Sequence, residues 1–370
     1  MAEYRVAVIP GDGIGPEVTV EATKVLAVAS RLGGFTMVFH DYPLGATYYL
    51  EHGVALPAAV EEELSQFDAI FLGAVGDPSV APGVLERGLV IKIRRIFDQY
   101  INYRPSKLFP GVASPIAGVT PDSCDMVVLR ENTEGLYVGS GAYVHPGTPG
   151  AVATQNSITT ARGTERLLRF GFELAGRRRR RLTIVHKTNV LVHAGRLWLD
   201  IVEQLQPEYP LIEVDYLHVD AACQHLILSP GRFDVIVTDN LFGDIISDLT
   251  AVIQGGLGIA AGANLNPERT APSMFEPIHG SAPDIAGKGC ANPAGAILSA
   301  GLLLEHLGET RTAALVESAV AEVLGELRTV SGSAYSTAEI GERVREKLYR
   351  SIQTDLRGQV QSRRESQGQP

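Results

Sequence analysis

Apolar residues fall in short runs along this chain, and most runs are followed by a stretch with helical spacing. The first run, residues 4–9, enters the loop Gly11-Asp12-Gly13-Ile14-Gly15-Pro16-Glu17, and helical spacing then holds over 17–30. Pro16 falls where a first-turn proline is tolerated. The pattern next predicts a helix over 57–65, a strand over 69–72, a long helix over 89–100 and a strand over 126–129. A helix over 161–175, a strand over 182–185, a helix over 193–204 and strands over 213–218 and 235–237 follow. Strand and helix alternating in this way is the pattern of an α/β protein with a largely parallel sheet.

Three segments break the pattern. Residues 138–156 are rich in Gly, Pro and β-formers without a helical period, which fits either a surface loop or a protruding β-arm at an oligomer interface. The arginine run 177–181 reads as a solvated turn between a helix and a strand, favoured by the helix C-terminus, rather than a nucleic-acid tag. Residues 357–370 are polar and aperiodic and are expected to form a disordered tail.

Composition narrows the function classes. With 45% hydrophobic and 20% charged residues, the 370-residue chain is an ordinary globular protein large enough for two domains. A net charge of −10 argues against generic nucleic-acid binding. Three widely spaced cysteines suit neither a disulfide framework nor a zinc site, so a reducing cytoplasm is the expected setting. No signal peptide is evident, and no run approaches the roughly 18 apolar residues of a membrane span, so no membrane partner is expected.

The candidate chemistry centres on Asp244 and Asp248, four residues apart in FDVIVTDNLFGDIISDLTAVIQGG. After the apolar strand they lie one helical turn apart on one face, while Ile245, Ile246 and Leu249 are available to pack inward. Two such carboxylates are either a solvated acidic face or two ligands of a hard divalent cation. Arg94, Arg104 and Arg130 stand near helix and strand ends, where planar two-pronged donors suit a carboxylate-bearing substrate; each alone is equally a surface ion pair. Tyr137 follows Arg130 closely. Lys187 ends an apolar strand, where open α/β sheets place ligands, and is a candidate proton relay. Asp220 also follows a strand. His186, His218 and His225 match no usual zinc spacing. The loop at 11–15 follows a strand and opens a helix, but its spacing is G-x-G-x-G and no acidic residue ends a second strand roughly 20 residues on, so a Rossmann fingerprint is not supported. Its glycines still permit close backbone approach to a ligand.

Taken together, Gly11–Val18, LRENTEG (129–135), HKTNVL (186–191), DNLFGDIISD (239–248) and EPIHGSAPDIAGKGCANP (276–293) resemble the β-decarboxylating dehydrogenases of the isocitrate and isopropylmalate family, over about residues 4–350. The resemblance implies a two-domain, non-Rossmann α/β fold, with 1–102 plus 256–356 as a discontinuous NAD-binding domain and 103–255 as the substrate, metal and dimerisation domain. It implies a homodimer with shared sites, interlocked by the 138–156 arm. Arg94, Arg104 and Arg130 would hold the malate carboxylates. Asp244 and Asp248 would share Mg²⁺ or Mn²⁺ with Asp220 of a second copy, with a monovalent cation as a further option. Lys187 and Tyr137 would be catalytic, Lys187 crossing the interface. Ile14, Asp77, Glu276, His279, Gly280, Ser281, Ala282, Asp284, Ile285 and Asn292 would line the cofactor. Asp284 would bond the ribose hydroxyls and repel a 2′-phosphate, so NAD is expected rather than NADP.

The substituent on the malate depends on Glu86, Leu89 and Val90, with Val190 a fourth contact and Asn189 also expected at the substrate. The resemblance implies the isopropylmalate branch, and so leucine biosynthesis, because no serine is present to bond a third carboxylate. Arg87 keeps a homoisocitrate reading open, and RENTEGLYVG is closer to the isocitrate, homoisocitrate and tartrate branches. A D-malate or alkylmalate enzyme and a non-catalytic regulatory subunit are further readings, the last disfavoured because every metal and catalytic residue is present.

Overall fold

The computed structural model describes residues 2–327 and 335–350. The expected tail at 357–370 lies outside them. The strands are β1 (Glu3–Gly11), β2 (Thr36–Asp41), β3 (Ala69–Ala74), β4 (Ile101–Lys107), β5 (Asp125–Glu131), β6 (Gly141–Val144), β7 (Val152–Gln155), β8 (Arg181–His186), β9 (Glu213–His218), β10 (Val235–Thr238), β11 (Ala261–Leu265) and β12 (Ser273–Pro277). The helices are α1 (Gly15–Gly33), α2 (Ala46–His52), α3 (Ala58–Leu64), α4 (Ile91–Ile96), α5 (Ala161–Arg177), α6 (Val192–Leu205), α7 (Val219–Leu228), α8 (Asn240–Ile253), α9 (Ala294–Leu307) and α10 (Thr310–Leu327), with a last helix over 337–350.

Ten strands form one sheet in the order β2-β1-β3-β12-β11-β4-β5-β10-β8-β9. Both flanks are parallel, β2-β1-β3-β12 and β5-β10-β8-β9, and the antiparallel strands β11 and β4 join them. The expected α/β architecture is therefore present. On one flank α1, α9 and α10 pack around Leu26, Phe275, Leu303 and Val320. On the other, α5 and α6 pack Phe172 and Trp198 against β8 and β10. Among the described residues no helix is long and apolar enough to cross a membrane.

Three local readings need correcting. The helix predicted over 89–100 instead runs over 86–96, its first turn being a π-helix at Glu86–Val90. It ends at Phe97, because Asp98 adopts φ +44° and turns the chain into β4. Ile245 is 54% exposed rather than packed inward. The inner face of α8 instead buries Ile246, Ser247 and Thr250, and the last two bond β4. The third correction concerns the loop at 11–15, whose glycines admit protein backbone rather than ligand. A Cβ at Gly11 would lie 1.9 Å from the Ala74 carbonyl oxygen, and one at Gly13 would lie 1.9 Å from that of Ser281.

The segment 138–156 contains β6 and β7, a two-stranded antiparallel hairpin whose residues are all exposed.

Candidate active site

A cleft of about 260 Å³ opens where β3, β5 and β12 end, beside the N-terminal half of α8. Arg94, Arg104, Arg130, Tyr137, Asp244, Glu276, His279 and Gly280 line it, together with Glu86, Val90 and Ile91. The sequence-predicted arginines thus converge.

Asp244 is the hub. Arg130 pairs with its Oδ1, Arg104 Nη1 lies 3.5 Å from the same oxygen, and the Tyr137 hydroxyl donates to Oδ2 at 2.8 Å. Burial opposes the charged carboxylate, but Arg130 and Arg104 outweigh it and hold Asp244 below the usual carboxylate range. Arg130 is almost fully buried; Asn240 Oδ1 accepts from its Nε and Nη2 at 3.0 and 2.7 Å, and its guanidinium stacks 4.8 Å from the Tyr137 ring centre. Desolvation, then repulsion from Arg104, lowers its pKa to about 10. Asp248, one turn along α8, lies 3.8 Å from Arg104, and its pKa is raised mainly by burial and also by Asp244. The structure thus sets two carboxylates on one helix face beside three guanidiniums.

A chain of hydrogen bonds fixes the arginines. Arg94 Nη2 donates to Glu276 Oε1 at 2.9 Å, and Asn264 Nδ2 donates to the same oxygen at 2.7 Å. Asn102 Nδ2 donates to Asn264 Oδ1 at 2.8 Å, and Arg104 Nε donates to Asn102 Oδ1 at 2.7 Å. Glu276, expected on the cofactor side, therefore also neutralises Arg94 and ties it to Arg104. Sequence reading missed Asn102 and Asn264, since a lone Asn in a strand-like run carries no signal of which face it occupies.

The residues expected to contact the substrate tail divide. Glu86 and Val90 line the cleft, but Leu89 is fully buried in the core with Leu85 and Ile93. The π-helical turn shifts the register, so Ile91 takes the second apolar position in the wall. Arg87 is exposed and is not part of the lining.

A second set of predicted residues lies elsewhere on the chain. Lys187 Nζ donates to Asp220 Oδ1 at 2.7 Å, a bond that, first among its causes, depresses the Asp220 pKa. Neither residue lines the cleft; Asn189 is exposed, and Val190 is 64% exposed. Among the described residues no three His, Cys, Asp or Glu side chains gather as a metal cage. His186 is buried against Trp198, and desolvation lowers its pKa to about 4, so it is neutral at physiological pH.

The segments assigned to the cofactor also meet. The Ile14 amide donates to the Ser281 carbonyl at 2.8 Å, bringing the 11–15 loop against 279–285. Gly76 donates to Asp12 at 2.9 Å, which places Asp77 at the same rim. Ala282 turns the chain with φ +40°, Ile285 closes that turn onto it, and Asn292 accepts from the Ala294 amide at 3.0 Å. Asp284 is exposed. The His279 Nε2 is buried and has no hydrogen-bond partner among the described residues.

Comparison with known proteins agrees with this geometry. Residues 5–344 match the family model described as isocitrate/isopropylmalate dehydrogenase. The 3-isopropylmalate dehydrogenase of Thermobifida fusca (strain YX) is 54% identical over 345 residues, covering 93% of this chain and 97% of that protein. That of Mycobacterium tuberculosis (strain ATCC 25618 / H37Rv) is 53% identical over 340 residues, covering 92% and 98%. Among solved structures, isocitrate dehydrogenase from Methylococcus capsulatus superposes with a TM-score of 0.84 at 36% identity, covering 93% of this chain and 99% of that one. With a family model matched over most of its length and relatives more than half identical to it, the chain belongs to the isocitrate/isopropylmalate dehydrogenase family.

Proposed function

We propose that this protein is an NAD- and divalent-metal-dependent 3-isopropylmalate dehydrogenase that oxidatively decarboxylates its substrate to 2-oxoisocaproate in leucine biosynthesis. The observation that carries the substrate choice is the wall of Val90 and Ile91 beside the arginine cluster. It offers an apolar surface to the C3 substituent and no further guanidinium for a third carboxylate. Arg87, which kept the homoisocitrate reading open, points away from that role by its exposure.

In this reading Arg94, Arg104 and Arg130 bind the two malate carboxylates by charge-assisted hydrogen bonds. Asp244 and Asp248 are the in-chain ligands of Mg²⁺ or Mn²⁺. A bound divalent ion polarises the substrate hydroxyl and carboxylate oxygens, and bound NAD accepts the hydride. Tyr137 stays protonated at neutral pH, because burial raises its pKa although Arg130 opposes this, and so it can deliver a proton to the carbon left by CO₂. Lys187 relays the hydroxyl proton.

Water and substrate oxygens supply further ligands to such a hard cation. In keeping with the family resemblance, the Lys187–Asp220 pair, which lies outside this cleft, completes the site of a second copy. The exposed hairpin supports the same assembly: isolated two-stranded sheets are marginal, and Tyr143 and Val152 are 66% and 53% exposed. The packing supports the division into 1–102 plus 256–356 and 103–255, since two apolar clusters draw mainly on the first set and two on the second.

A panel of 3-substituted malates assayed with NAD and Mn²⁺ tests the substrate. Isopropylmalate should give the highest kcat/KM; faster turnover of D-malate, tartrate or homoisocitrate would overturn this assignment.

A further inference from the structure

A second cavity of about 340 Å³ lies on the reverse face of the sheet. Successive strand residues point to opposite faces, so β4 sends Arg104 into the catalytic cleft and Tyr103, Pro105 and Lys107 into this cavity. Asp125, paired with Lys107 across β5, lines it as well. The far wall is apolar, built from Leu298 and Leu302 of α9 and Ala313 of α10. The cavity and the cleft share no lining residue.

Two polar groups in this cavity lack partners. Gln254, which caps α8, is 3% exposed, and its Oε1 accepts from the Lys107 amide at 2.8 Å. Its Nε2 is buried and has no hydrogen-bond partner among the described residues. Buried amide donors are nearly always satisfied, so this one is a binding group awaiting an acceptor. The second is the carboxylate of Glu305, an exposed residue that makes no side-chain hydrogen bond or ion pair with any described residue. Burial, and then the nearby Glu317, raises its pKa, with Arg177 opposing both. The two cations in the lining are engaged: Lys107 pairs with Glu317, and Arg178 lies 2.8 Å from both Asp125 and Asp234.

We propose that this cavity is a binding site for an α-amino acid with an apolar side chain. The ammonium group meets Glu305, the carboxylate accepts from Gln254 Nε2 beside the Lys107 ammonium, and the side chain rests on Leu298, Leu302 and Ala313. A simple amine leaves the Gln254 donor unmet. A simple carboxylate is repelled by Glu305, and a dicarboxylic amino acid adds a second negative charge to an acidic lining.

Isothermal titration of the full-length protein with leucine and phenylalanine tests this, with butylamine, isovalerate and aspartate as contrasts. Leucine or phenylalanine should bind saturably and the three contrasts should not. Glu305→Gln, which removes no hydrogen bond or ion pair among the described residues, should weaken binding by about tenfold or more and leave the melting temperature nearly unchanged. Leu302→Trp, which fills the cavity, should remove binding. Absence of binding up to about 10 mM, equal binding of butylamine or isovalerate, or wild-type affinity in both variants would each overturn the assignment.

Discussion

Replacing Asp244 by Asn removes one negative charge while keeping the side chain's shape, and the structure lets its effects be separated. The wild-type site sets Arg94, Arg104 and Arg130 against Asp244, Asp248, Glu276 and Glu86, and the variant leaves three positive charges against three negative. Arg130 keeps both bonds to Asn240, and the new amide oxygen still accepts one hydrogen bond. The loss is then one charge-assisted bond, about 2 kcal/mol, rather than the full cost of stranding a buried charge. Partial exposure of Asp244 reduces it further, so the melting temperature should fall by only a few degrees. Metal binding should suffer more. One of two in-chain carboxylate ligands becomes a weaker neutral donor, and loss of even an outer-shell partner costs roughly 10- to 100-fold in affinity. NADH formation at fixed Mn²⁺ should drop by about 10³-fold or more. Binding of the malate dianion without metal should hold or tighten, because the cleft has become more positive. Steady-state kinetics across a Mn²⁺ titration, paired with calorimetry of metal-free substrate binding, checks each part. Wild-type turnover at ordinary Mn²⁺ would refute the assignment of the aspartate pair, and a collapse of metal-free substrate binding would refute the charge argument.

The π-helical turn predicts opposite outcomes for neighbouring residues. Leu89→Ala should cost about 2–5 kcal/mol of stability with little change in substrate preference, whereas Ile91→Ala should change the preference among 3-substituted malates with a small stability loss. Denaturant melts and kcat/KM ratios distinguish these outcomes. Mixing subunits that carry Asp244→Asn with subunits that carry Lys187→Ala should restore roughly a quarter of wild-type activity, since half the dimers are mixed and each has one intact site; no recovery after unfolding and refolding the mixture together would count against shared sites. Acid should destabilise the fold through His186. Its folded pKa of about 4 lies below the unfolded value, so its contribution is present at neutral pH and is lost as pH falls from about 6.5 to about 4. His186→Phe should flatten that part of the stability profile, read by melting temperature against pH.

Most strands of the parallel flanks were legible because they are apolar runs bounded by turns, as at 69–72 and 235–237, although β2 and β12 were not picked out. The middle of the sheet was not. β4 alternates apolar and polar residues directly after a helical pattern that runs on to residue 100, and it was not picked out as a strand. β11 reads AGANL, too small and mixed to signal a strand, and α9 is so apolar that it shows no periodicity. In the site, the charged residues were found because arginines and aspartates at element ends are chemically conspicuous. Their neutral scaffold, Asn102, Asn240 and Asn264, was hidden, since its role depends on a pairing between distant strands and helices. Leu89 and Ile91 could not be told apart while the helix was assumed to be regular, because one residue of π-register decides which faces the core.

The packing of the 11–15 loop has a consequence for reading other sequences. Gly11 and Gly13 sit at φ +72° and +59° with neighbouring carbonyl oxygens occupying the space of a side chain. That constraint comes from the fold and is indifferent to catalysis. A relative that had lost its metal acids or its lysine would still need both glycines to close β1 onto the ends of its neighbours. The G-D-G signature therefore diagnoses the architecture, and a chain carrying it earns the name of enzyme only through its aspartates, lysine and tyrosine.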